Sequence, residues 1–121
     1  MAARWAARTA DFAVFSIALV RDLKRQRESI ISSQIDRSGI SIGANIRAAQ
    51  YAHSKADFVA KLQIALKEAN ETGYWLERLF KTAYIGEDRY RALNSACTGI
   101  RVTLVSSIRT AREKIEDKTG Y

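Results

Sequence analysis

Apolar residues recur along this chain at intervals of three and four, the period of helices that bury one side. Strand-like alternation does not occur, and proline is absent. A first helix carries Phe12, Phe15, Leu19 and Leu23 on one face, joined by Trp5 if the helix starts early. A basic cluster, Arg21, Lys24, Arg25 and Arg27, follows where positive charge complements a helix C-terminus. A second helix carries Ile31, Ile35, Gly39, Ile42, Ile46 and Ala49. Ser54, three residues before Asp57, predicts a capped start for a third helix. Phe58, Leu62, Ala65, Ala69, Thr72, Leu76 and Leu79 then form a seam at strict four-three spacing, as in a coiled coil.

The stretch "YIGED" breaks that pattern, with Gly86 as a cap and Glu87 and Asp88 suited to a first turn. A fourth helix runs through Leu93, Cys97, Ile100, Leu104, Ile108, Ala111 and Ile115. Cys97 lies in this seam and reads as a small core residue. Short connections between four amphipathic helices predict an all-α fold, an antiparallel up-down-up-down four-helix bundle. One domain spans residues 1–121, with frayed ends at 1–6 and 116–121.

Composition narrows the function. A chain of 121 residues with 47% hydrophobic content builds one globular core. No apolar run approaches the length of a membrane span and the N-terminus lacks a leader pattern, so the expected setting is the cytoplasm. One cysteine and one histidine, His53, exclude a disulfide framework, a cysteine zinc site and a di-iron bundle, and no cofactor is expected. The formal net charge of +7 and pI near 9.9 attract polyanions such as RNA or DNA, or an acidic partner surface. The same charge also serves simple solubility.

Two helices have more apolar faces than one bundle can cover. On the second helix Ile40, Ala44 and Tyr51 point away from the Ile35–Ile42–Ile46 face, punctuated by Asp36, Arg37 and Arg47. This second face predicts contact with another subunit or partner. On the third helix Asp57, Lys61, Ile64, Glu68, Glu71 and Trp75 form a mixed stripe of the kind found at interface margins. Glu68 and Glu71 lack a nucleophile or metal-ligand set around them, which disfavours catalysis. Within "GISIGANI", residues 39–46, Gly39 and Gly43 share one side of the helix. Each costs about 1 kcal/mol against alanine but admits a neighbouring helix more closely. Asn45 borders the core face, where a buried amide needs partners and can set register.

The segment "SQIDRSGISIGANIRAAQYAHSKADFVAKLQIALKEANETGYWLERL", residues 33–79, resembles the bacterial 23S rRNA intervening-sequence protein family. The features that carry the resemblance are Ser41–Ile46, the Ser54, Lys55, Asp57 and Phe58 start, the Leu62–Thr72 stretch, and "YIGEDRY". The chain departs from the family pattern at Gly43, where proline is common. It departs also at Ala48 and Gly73, where acids are usual. The resemblance implies a four-helix bundle assembled as a ring-like homopentamer, and no enzyme chemistry.

The leading expectation is therefore a non-enzymatic basic oligomer that binds nucleic acid, structured RNA above all. Contact falls to Arg21, Lys24, Arg25 and Arg27, with Arg91 and Arg109 on one side of the fourth helix. No aromatic interleaves with the basic cluster, which predicts low sequence specificity. The alternative is a protein-interaction scaffold, for example an accessory to a reverse transcriptase or an rRNA-processing factor.

Overall fold

The computed structural model describes the backbone of residues 2–119 and the side chains of residues 8, 9 and 11–114. The expectations for Trp5, for Ile115 and for the chain ends at 1–6 and 116–121 lie outside the described side chains. Four helices occur: α1 (Ala2–Arg25), α2 (Ile30–Gln50), α3 (Lys55–Lys81) and α4 (Glu87–Thr119). No strand occurs among the described residues, and none of these helices is long and apolar enough to cross a membrane.

Each connection has a local cause. At the end of α1, Glu28 N–H bonds the Leu23 carbonyl at 2.9 Å and Arg27 N–H bonds that of Lys24 at 3.0 Å. This pair of bonds is a Schellman closure, which requires a left-handed residue. Arg27 supplies it at φ 63°. The end of α3 repeats the device, with Ala83 at φ 66° and Tyr84 N–H on the Leu79 carbonyl at 3.0 Å. At the start of α2 the buried Glu28 carboxylate accepts from the N–H groups of Ile31 and Ser32, both at 2.8 Å. These are two of the donors that a helix start leaves orphaned. The expected cap of α3 is present: Asp57 N–H donates to Ser54 Oγ at 3.0 Å. Gly86 opens α4, its carbonyl accepting from Tyr90 N–H at 3.0 Å.

The four predicted seams meet in one core. Leu19 and Leu23 of α1, Ile35 and Ile42 of α2, Leu62, Leu76 and Leu79 of α3, and Leu104 of α4 are essentially inaccessible. Cys97 is fully buried among them, and its thiol donates to the Ala69 carbonyl at 3.2 Å. Burial pushes that thiol's pKa up, against a smaller opposing effect of Arg101. Pairings run antiparallel throughout: Ser38 bonds Thr72 across α2 and α3 at 2.6 Å, and Phe80 stacks on Tyr90 across α3 and α4 at 4.7 Å. Each helix packs on its sequence neighbours, and α1 meets α4 over a shorter seam.

That short seam corrects one expectation. Periodicity assigns Phe15 to the core face, but it is 47% exposed. It lies on the flank of α1 toward α4, where the two helices touch least. The ties across this seam are polar: Arg8 donates to the Gly99 carbonyl and to Thr103 Oγ1, and Arg89 holds Asp22.

Candidate nucleic-acid interface

In this topology the C-termini of α1 and α3 and the N-termini of α2 and α4 share one end of the bundle. Arg21, Lys24, Arg25 and Arg27 are all exposed there. Arg89, on the first turns of α4, donates to Asp22 at 2.6 Å and so ties α4 to the cluster. Arg91, two residues on and so on the other side of α4, is exposed at the same end with Glu87 at 2.6 Å. Gln26 donates to the Tyr84 carbonyl at 3.3 Å, which brings the α3–α4 connection and the exposed Lys81 to the same end.

Charge balance at this end favours cations. Arg25 is shared with Asp22 at 3.3 Å and Arg91 with Glu87, whereas Arg21, Lys24 and Arg27 have no carboxylate partner among the described residues. The hydrogen bond from Arg89, reinforced by the charges of Arg89, Arg25 and Arg21, holds the Asp22 carboxyl below its ordinary range. Asp22 therefore stays ionised and orients two arginines. The Glu28 carboxylate is turned onto the α2 backbone and reduces the positive potential of that helix start.

The structure separates one predicted contact from the others. Arg109 lies eighteen positions beyond Arg91 on α4, a rise of about 27 Å. It borders the outer α3–α4 surface with Arg101, Arg112, Leu66 and Val105, toward the opposite end of the bundle. The side-chain cluster missed in the sequence is Lys81, Tyr84 and Arg89. Tyr84, partly exposed, stands at the basic end although no aromatic interleaves with Arg21–Arg27 along the chain. Antiparallel topology was the signal that could have found it.

The proposed contact face of α2 is open. Ile40 is 66% and Tyr51 73% exposed, and Ala44 and Arg47 lie beside them on the same face. Ile64 is exposed too. The rest of the α3 stripe turns inward, against expectation. Glu68 is buried and accepts from Arg37 of α2 at 3.0 Å, and Glu71 binds the same guanidinium. Hydrogen bonding to Glu71 raises the Arg37 pKa. Trp75 is half-buried against the core, and its buried Nε1 has no partner among the described residues. Glu68 and Glu71 face the chain's own α2 because this part of the stripe lies on the flank where α2 and α3 pack.

The glycine reading holds at Gly43, where a Cβ would stand 3.3 Å from Thr9 Cγ2 of α1, but not at Gly39, where a Cβ would meet Ser16 Oγ at an ordinary 3.6 Å. Asn45 does not set register across helices. Its amide donates to the Ser41 carbonyl at 2.9 Å and to Ser41 Oγ at 3.1 Å, within its own helix.

Together these features define a basic all-α bundle with one cation-rich end and an uncovered apolar helix face. The 23S rRNA-intervening sequence protein family matches residues 4–106, and the chain belongs to that family. It is similar to a crystal structure of a protein of unknown function from the S23 ribosomal protein family of Bacteroides thetaiotaomicron. The two are 50% identical, with a TM-score of 0.82, covering 84% of this chain and 95% of that one. No curated protein matches the chain.

Proposed function

We propose that the protein is a non-enzymatic oligomer that binds nucleic acid, structured RNA in particular, through the end bearing Arg21, Lys24, Arg25, Arg27 and Arg91. The observation that carries this reading is the convergence of cations from α1 and α4 on one end, with Asp22 orienting Arg89 and Arg25. Long, exposed cationic side chains suit phosphates and carry little base readout. Several copies in one oligomer multiply the field and the avidity.

The oligomer forms through the outer face of α2, with Ile40, Ala44 and Tyr51 against a second copy, because a lone bundle leaves this apolar face in water. The family resemblance points to five copies. A protein partner on the same face is the second reading, favoured by the same exposure.

Fluorescence anisotropy of a labelled structured RNA across a salt series, with native mass read on the same sample, tests both parts. Binding should weaken steeply with salt and collapse when Arg21, Lys24, Arg25 and Arg27 become Glu. Arg109→Glu should leave it nearly unchanged. Absence of binding at low salt by an intact oligomer would refute the polyanion reading. Ile40→Asp or Tyr51→Asp should give a smaller species that stays helical; an unchanged native mass would refute the α2 contact.

A further inference from the structure

Two exposed stripes on neighbouring helices carry the same order of chemistry. On α1, Asp11 is followed by Val14, Ile17 and Ala18 and then by Arg21, all exposed. Phe15 flanks this stripe toward α4. On α2, Asp36 is followed by Ile40 and Ala44 and then by Arg47, again all exposed. Each stripe is apolar between an acid nearer the helix N-terminus and an arginine nearer the C-terminus. Acid and arginine are ten residues apart on α1 and eleven on α2, rises of about 15 Å and about 17 Å. None of these four charges forms an ion pair among the described residues.

Laid antiparallel, the two stripes match, each acid meeting the other stripe's arginine. Within one chain they cannot meet, because α1 and α2 pack through other faces and both stripes point outward. Two copies with parallel axes can, since α1 of one and α2 of the next then run in opposite senses. The heights agree as well. A Cβ on Gly43 would meet Thr9 and one on Gly39 would meet Ser16, which aligns the two helices along the bundle. Ile40 then stands near the height of Val14, with Asp11 about one turn from Arg47 and Arg21 about one turn from Asp36. Side chains lean toward the N-terminus of their own helix, and in both pairs that direction carries the arginine toward the acid. Rotation about an axis parallel to the bundle keeps these heights, so no slide is needed.

We propose that the outer α2 face of one copy seats on the outer α1 stripe of the next, with Ile40 against Val14 and Ile17, Arg47 on Asp11, and Asp36 on Arg21. This rests on the oligomer reading above and names the surface that answers α2. A contact between two different faces repeats from copy to copy, and it closes into a ring when rotation alone relates neighbours. One kind of interface then covers both exposed stripes. A two-fold contact of α2 on α2 also pairs Asp36 with Arg47, but it leaves Val14 and Ile17 in water. Arg21 lies where this contact adjoins the basic end, so the test works through residues away from that end.

The test is native mass of the full chain by analytical ultracentrifugation, in single variants and in mixtures. Wild type should form one species of fixed mass. Ile17→Asp and Ile40→Asp, each confirmed helical by circular dichroism, should both be monomers. Mixing them should give a one-to-one pair, because each keeps the face that the other has lost. Asp11→Arg and Arg47→Asp should each raise the concentration of half-dissociation about tenfold, and the double exchange should return it to within about threefold of wild type. Wild type that stays monomeric at about 100 μM would overturn the oligomer reading and this one with it. Ile17→Asp that keeps the native mass while Ile40→Asp loses it would leave the α2 contact standing and overturn the α1 stripe as its mate. A mixture that stays monomeric would overturn the pairing of the two faces, and a double exchange no tighter than its singles would overturn the charge register.

Discussion

Arg27→Gly separates charge from backbone strain at the basic end. Arg27 holds φ 63° in the closure of α1, and its side chain is exposed, so the exchange removes no packing. A side chain in the left-handed region costs roughly 1–2 kcal/mol, and the freer unfolded chain of glycine offsets about 0.5–1 kcal/mol of the relief. The net expectation is a gain of about 0.5–1 kcal/mol, or about 2–4 °C in Tm for a domain of this size. Ala83→Gly, at φ 66° in the matching closure of α3, is the control and should stabilise by a similar amount. The two variants should diverge in RNA titrations. Arg27→Gly should reduce the salt slope by about 0.7–0.9 for each phosphate that the arginine neutralises, whereas Ala83→Gly should leave it unchanged. Thermal melts followed by circular dichroism and anisotropy across salt supply both readouts. A destabilised Arg27→Gly would refute the strain argument, and equal salt slopes for both variants would refute the role of the Arg27 charge.

Three other outcomes follow from the same structure. Glu28→Gln removes a charged acceptor from two helix-start donors and should cost about 2 kcal/mol in urea unfolding, with α2 amides losing hydrogen-exchange protection first. Gly39→Ala should stabilise by about 0.5–1 kcal/mol, because its Cβ finds ordinary contact, whereas Gly43→Ala should gain nothing against Thr9; equal gains would show that the α1–α2 approach at Gly43 is not tight. The Asp22 carboxyl is depressed by Arg89 in the folded chain, so its contribution is fully present above its ordinary value near 3.8 and is lost as pH falls below it. Asp22→Asn should therefore flatten the acid limb of a Tm-against-pH profile and leave the neutral region shifted by a constant amount.

The helices and their buried faces were legible because a bundle needs only a three-four period, and Leu62 through Leu79 satisfies it without exception. The outer face of α2 was legible for the same reason, since Ile40 and Tyr51 break the rule for a surface helix. Periodicity does not say which flank of a helix a neighbour covers. Phe15 and Glu68 both stand at the margin of their seams, yet one is left open toward α4 and the other is closed by Arg37. The Glu28 cap was not legible because an acid one residue ahead of the N-cap leaves no mark on the apolar period; Ser29, at the N-cap itself, makes no side-chain capping bond. Arg91 and Arg109 share a helix side in sequence, but which end holds the Arg21–Arg27 cluster is settled only by chain direction.

The seam between α1 and α4 bears on how the bundle opens. Its ties are Arg8 on Gly99 and Thr103, and Arg89 on Asp22, all at or near the surface, while α3 is fastened on both sides by buried leucines and the Ser38–Thr72 bond. Local opening follows the weakest edge, where buried apolar contact is least. Swinging α1 away from α4 about its seam with α2 exposes only part of the core and leaves the other three helices in place. Amide exchange should thus be graded across the molecule, fastest in α1 and slowest in the middle of α3. The polar latch makes that gradient dependent on salt: added ions loosen α1 before they touch the rest of the fold.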